Sequence, residues 1–426
     1  MKNKLAYGIT IFTIFAVVLV YITVNNSNNS LNKIEASVNN STMPINAAPG
    51  NSTFNDGSTT GSLKNTVNPL APSALAANSD PITLKGSLDE TCKDRIDPQA
   101  EDRMKLRDCV KAYLDNSVTK KGFAATASDL EKAVSINQEY NLVCHPFAHY
   151  IGKGAFDELG SIREAIGDAT SFCAWGFLHG LNVQAASVYK GQKLYDMILD
   201  GCMYVKELGA NYFECAHGMG DAFDVAENMD MMKALAWCSK IEDSGVHANC
   251  SQGVVNHWAD YYVVNQALAA PDKLTEEQKH ILGGNPYSKC EPIKNATDRA
   301  GCFDYMVRVN NAYKTGLKDW EKYCNAYTGR DNAECFKGLG REWGFTKTLS
   351  HVQAVTKCTL ANEVDSTALC TQEILNAKTQ IYQDHRGEII KEVCNNATLR
   401  KNPGIKKGCV QTAIGLKPYF DGDFKL

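Results

Sequence analysis

The chain has 426 residues, sixteen cysteines and a formal net charge of -4, with a pI near 6.2. So slight an acidic balance carries no electrostatic footprint for nucleic acid, which removes that class of partner. The cysteines start at Cys92 and run evenly to Cys409. Outside the cytosol that usage reads as a disulfide framework; in a reducing compartment it would read as metal or redox thiols.

The N-terminus chooses between the two. Met1-Lys-Asn-Lys4 is basic, and Ala6 to Val24 is an apolar run long enough to span a bilayer. Positive charge before the run places the N-terminus inside and the bulk of the chain outside. No small-x-small cleavage site follows Val24, so residues 1–24 read as an uncleaved signal-anchor, with a cleaved signal peptide and a secreted product as the alternative. Residues 25–85 are rich in Asn, Ser and Thr and cannot bury enough apolar area to order themselves, so they read as a flexible linker. Sequons at Asn25, Asn28, Asn39, Asn40, Asn51, Asn249, Asn295 and Asn396 make the ectodomain a candidate glycoprotein.

From residue 86 to 426 the pattern is all-α. Cys-x-x-Gly recurs at Cys173, Cys215, Cys250 and Cys335, and the steps Cys215 to Cys250 and Cys335 to Cys370 are both 35 residues. A unit of that length is the mark of stacked helical hairpins, a disulfide-stapled αα-hairpin solenoid. Each unit reads as a helix starting at a cysteine, a turn, and a second helix ending at another cysteine. Gly160 ends one helix and Ser161-Ile-Arg-Glu164 has capping-box spacing for the next; further breaks fall at Asp230, Gly316 to Asp319 and Ser350. The stretch around Pro271 and Gly283 to Pro286 reads as an inserted loop, dividing a half at 86–264 from a half at 290–426.

Two pairing schemes fit the cysteines. One joins the two helices of a hairpin, as Cys215 with Cys238. The other joins neighbours along the chain: Cys92–Cys109, Cys144–Cys173, Cys202–Cys215, Cys238–Cys250, Cys290–Cys302, Cys324–Cys335, Cys358–Cys370 and Cys394–Cys409. The second leaves no cysteine over, and most of its spans are short and regular, each contributing about 3 kcal/mol by constraining the unfolded chain. Zinc ligation by thiolates would need closely spaced Cys pairs, which do not occur. With its period and its Gly and aromatic placement, the stretch 140–415 resembles secreted Sel1-like and tetratricopeptide-type repeats. That resemblance implies an extended concave surface used for binding, here of protein or glycan.

Histidines crowd into the openings of the first four units. Aligned on the cysteine they are His145 and His149 after Cys144, His179 after Cys173, His217 after Cys215 and His257 after Cys250. His145 and His149 are four apart, as are His217 and Asp221, so each pair shares a helical face. If the first helices line one side of the array, His145, His149, His179, His217, Asp221 and His257 converge as metal ligands. Imidazole suits Zn, Cu and Fe, and a carboxylate adds the anionic donor. The His-x-x-x-His spacing is shared with zinc proteases, but Pro146 stands where their general base would be, so no reaction follows. The alternative is a cell-surface recognition module without metal.

Gly218, Gly220, Gly338 and Gly340 repeat one spacing. Each costs about 1 kcal/mol in a helix relative to Ala, so close approach of neighbouring helices must offset it. Room for a ligand beside His217 is the other reading; Lys337 stands at the matching position in a unit that keeps both glycines, which weakens any catalytic claim for them. The aromatics Trp175, Phe177, Trp237, Trp258, Trp320 and Trp343 read as core.

Overall fold

The computed structural model describes residues 86–96, 104–137, 140–166, 173, 176–208, 212–312, 319–346, 348–381 and 385–416. The expected anchor, the linker and its five sequons lie outside these, as do Trp175 and the break at Gly316. Among the described residues no helix is long and apolar enough to cross a membrane. One compact unit spans Ala77–Cys409. Met1–Ala76 and Val410–Leu426 group apart, and of these only 410–416, the end of the last helix, are described.

The described residues are all-helical and contain no strand. Two helices lead in, α1 (Leu88–Cys92) and α2 (Met104–Ile136), the second broken at Gly122, whose φ of +77° only glycine adopts readily. Helix pairs follow: α3 (Asn141–Leu159) with α4 (Ile162–Ile166), α5 (Gly176–Val188) with α6 (Gly191–Glu207), and α7 (Tyr212–Ala226) with α8 (Met231–Cys238). Helix α9 (Ser244–His257) runs on through a π-helix, Trp258–Asn265, into α10 (Gln266–Ala269), and α11 (Glu276–Gly283) is its return. Then come α12 (Ala296–Tyr305) with α13 (Trp320–Cys324), α14 (Gly329–Phe345) with α15 (His351–Lys357), α16 (Val364–Ile381) with α17 (Arg386–Cys394), and α18 (Pro403–Leu416).

The first helices pack on one another in chain order: α2 on α3, α3 on α5, then α7, α9, α12, α14 and α16. Glycine makes that approach possible. Residues two apart on a helix point about 200° apart, so a Gly-x-Gly pair serves both neighbours. A methyl on Gly218 would sit 2.9 Å from His179 Cα on the preceding helix, and one on Gly220 would sit 2.1 Å from the Cys250 carbonyl oxygen on the next. Gly338 and Gly340 repeat this against the carbonyls of Asp304 and Cys370. Phe177, Trp258, Trp320 and Trp343 are buried, whereas Trp237 is half-exposed and donates to Glu227.

The sixteen cysteines lie in eight pairs at disulfide distance, neighbour to neighbour along the chain, with Cα separations of 5.4 to 5.8 Å and no free thiol. Six join a second helix, or the 3-10 turn that follows it, to the interior of the next first helix, from Cys202–Cys215 to Cys394–Cys409.

Caps explain where sequence reading held and where it slipped. Gly160 ends α3 in the left-handed region, the Ser161 hydroxyl accepts from Glu164 N–H, Asp230 caps α8 and Ser350 caps α15. Apart from α5, whose described span begins at Gly176 after Cys173, the first helices start ahead of their cysteines rather than at them. Asp243 and Asn295 accept from the first free N–H groups of α9 and α12, which sets those starts well before Cys250 and Cys302. The expected inserted loop holds helix α11, nucleated by a Thr275/Gln278 capping box, between 3-10 turns. Of the described sequons, Asn249 is engaged inside α9, and the hydroxyl of its Ser251 is buried on Asp298.

Candidate metal centre

Helix α3 carries His145 and His149 on one face, a turn apart, and α5 carries His179. What joins them is a glycine contact. A methyl on Gly176 would lie 2.5 Å from the His145 carbonyl oxygen, and one on Gly180 would lie 1.9 Å from that of His149. The α5 backbone is thus pressed onto α3 at the level of the two imidazoles. The rings of His145 and His149 are 4.8 Å apart, and His179 is 5.1 Å from each. One nitrogen from each of the three lies within 4.8 Å of the others, a triad that could hold a metal ion.

The hydrogen bonds fix the tautomers. His145 Nδ1 is 2.8 Å from the Cys173 carbonyl, which can only accept, so Nδ1 carries the proton and Nε2 keeps its lone pair. His149 Nε2, at 3.1 Å, then donates to His145 Nε2. His179 faces acceptors on both sides: Asp221 Oδ2 at 3.3 Å from Nδ1 and the Glu214 carbonyl at 3.1 Å from Nε2. In this conformation it is a two-donor imidazolium.

The charges agree with that assignment. Burial pushes His145 down to about 4 and His217 down to about 3, and holds His149 well below the ordinary imidazole value. Burial works against charge on His179 too, but the hydrogen bond and charge of Asp221 outweigh it and the net shift is upward. For Asp221 burial is again opposed and overcome, by His179 and the other imidazoles, and its carboxyl is held well below the usual range. The site is therefore one buried ion pair beside neutral imidazoles. Asp221 Oδ1 is buried and has no hydrogen-bond partner.

Such a set has the chemistry of a metal pocket. Tetrahedral ligation at zinc–nitrogen distances near 2.0–2.1 Å puts donor atoms about 3.3 Å apart. The Nε2 atoms of His145 and His149 already stand at 3.1 Å. A divalent ion would displace the extra proton of His179, and for Nε2 of His149 to ligate as a neutral imidazole its proton would move to Nδ1. The Asp221 carboxylate on Nδ1 of His179 is the partner that orients a ligating imidazole and raises its basicity.

The other expected ligands are placed differently. His217 stacks on His179 at 5.3 Å, with an angle of 18° between the rings, and lies 5.5 Å from the ring of Tyr305. Asp221 reaches the triad through His179, and Glu214 Oε2 approaches that ring at 3.9 Å. His257 is not in the triad: its Nδ1 pairs with buried Asp224 at 2.8 Å and its ring stacks on Tyr261. It stands seven residues after its cysteine where His179 stands six after its own, which turns it by about 100° around the helix. Asp224 was not anticipated, and neither was Asp298, which accepts from His247, Ser251 and Ser239. Cys173 as the acceptor for His145 left no signal in the sequence.

No known protein family, curated protein or solved structure matches the chain. The likeness to Sel1-like and tetratricopeptide-type repeats rests on period and on glycine and aromatic placement alone.

Proposed function

We propose that this chain is an extracytoplasmic metal-binding protein of helical repeats, held at the membrane by residues 6–24, in which His145, His149 and His179 bind one divalent ion. The observation that carries the reading is the triad itself, three nitrogens within 4.8 Å in a protein whose every cysteine is paired. A three-imidazole donor set suits zinc or copper. Iron would further call on the carboxylate of Asp221 in the arrangement of two His and one acid. The succession of first helices supports the solenoid description, and the triad lies between two of them, α3 and α5. All-disulfide chemistry favours an oxidising compartment. His217 and Asp221 support the triad, and His257 serves the fold through Asp224.

One observation favours a second reading. His179 already spends both N–H groups on Asp221 and Glu214, as a site built without metal would. In that case the same face recognises protein or glycan. Metal analysis of the full chain purified from its membrane separates the two. Stoichiometric zinc, copper or iron, lost in a folded His145→Ala/His149→Ala variant, is the expected result. A native protein free of metal, and a variant of equal stability, would leave the second reading standing.

A further inference from the structure

Six of the eight disulfides close spans of 11 to 15 residues between a second helix, or the 3-10 turn after it, and the next first helix. Cys144–Cys173 departs from that register. Its separation is 29 residues, it passes over α4, and it joins α3 directly to the residues leading into α5. Those are the two helices that carry the triad. Both half-cystines touch the site's chemistry as well. Cys144 precedes His145 in the chain, and the Cys173 carbonyl accepts from His145 Nδ1 at 2.8 Å. Cys173 has φ +56°, a left-handed conformation that an L side chain adopts against its preference. Both are buried, at 0% and 4% exposed.

A neutral histidine in water favours the proton on Nε2. Here the carbonyl of Cys173 draws it to Nδ1, and Nε2 is left as the lone pair that meets His149. We infer that the Cys144–Cys173 disulfide is a positioning element of the triad: by holding the Cys173 carbonyl on His145 it selects the tautomer that presents Nε2 to the site. For its metal consequence this rests on the reading of the triad proposed above; for its tautomer consequence it does not.

The test uses the full chain. In the metal-free native protein, nitrogen-15 correlation spectra of the imidazoles should find His145 protonated on Nδ1. Protonation on Nε2 overturns the inference, with or without a metal. Cys144→Ser/Cys173→Ser is then compared with Cys358→Ser/Cys370→Ser, which removes a bridge of the regular kind. The first variant should lose the Nδ1–H signature, and its affinity for added Cu²⁺ should drop about 10- to 100-fold, as when a partner of a metal-bound histidine is removed. The second should keep both while unfolding at lower temperature. A Cys144→Ser/Cys173→Ser protein with native tautomer and native Cu²⁺ affinity would refute the positioning role. Should that variant fail to fold, the native tautomer still decides. A native protein that takes up no Cu²⁺ would refute the metal reading and leave the tautomer result to judge this one.

Discussion

Helices α7 and α14 are built to one plan and carry opposite chemistry. Both have a cysteine bridged to the preceding second helix, Cys215 to Cys202 and Cys335 to Cys324. Both place one glycine against the helix before and another against the helix after. Counting from the cysteine, the second position is His217 in α7 and Lys337 in α14, and the sixth is Asp221 and Arg341. In α7 these meet His179 of the triad. In α14, Lys337 and Arg341 both pair with Asp304 of α12, and Arg341 lies 4.1 Å over the Tyr305 ring. The backbone contact is the constant of the array, and the two positions facing the neighbouring helix are free to carry chemistry.

The comparison breaks first at the glycines. Gly220→Ala and Gly338→Ala should each destabilise by about 3 kcal/mol or more, because the clashing atoms are backbone carbonyls that cannot rotate away. Gly283→Ala, whose methyl meets nothing within 4 Å, is the control. Urea midpoints that moved for one end only would contradict a common packing rule. A second test removes the anion under the cationic pair. Asp304 is 1% exposed, and Asp304→Asn should cost about 3 kcal/mol by stranding Lys337 and Arg341, without altering metal content.

Acid separates the ends by another route. His145 and His217 titrate at about 4 and about 3 when folded, against about 6.5 in the unfolded chain. Between those values the unfolded state binds protons that the folded state refuses, so stability falls as pH drops from about 6.5 toward 4. The raised His179 does not offset this: its contribution is full below its unfolded value, hence constant over this window, and fades only as pH rises through the folded one. His149, held by burial well below the ordinary imidazole value, adds to the loss. Metal-free protein should therefore lose urea resistance over that window, and His145→Gln/His217→Gln should flatten the slope. An equal slope in the variant would remove these imidazoles as the cause.

Much of this was legible because it follows from local rules. Cysteine spacing gave the bridges, since neighbours 11 to 13 residues apart at a helix junction are within bonding reach. Alignment on those cysteines brought His145, His149, His179 and His217 together. The errors come from what such an alignment ignores. A shift of one residue sends His257 to Asp224 instead of the triad. Helix starts follow Asp243 and Asn295, not the cysteines. The carbonyls of Cys173 and Glu214 are backbone groups, so no side-chain pattern could mark them as the acceptors for His145 and His179.

The smallest expected effect is the sharpest on the role of α7. Asp221→Asn keeps the shape of the side chain and removes the charge that holds His179. The amide can still accept from Nδ1–H through its oxygen, so the fold should survive. The imidazole becomes less basic and freer to turn, and metal affinity should drop about tenfold to a hundredfold, the usual cost of losing a carboxylate behind a ligating histidine. Arg341→Gln, at the matching position of α14, should leave metal affinity unchanged while weakening the α12–α14 contact. Equal losses of metal in the two variants would mean that general loosening of the array, and not the Asp221–His179 pair, governs the site.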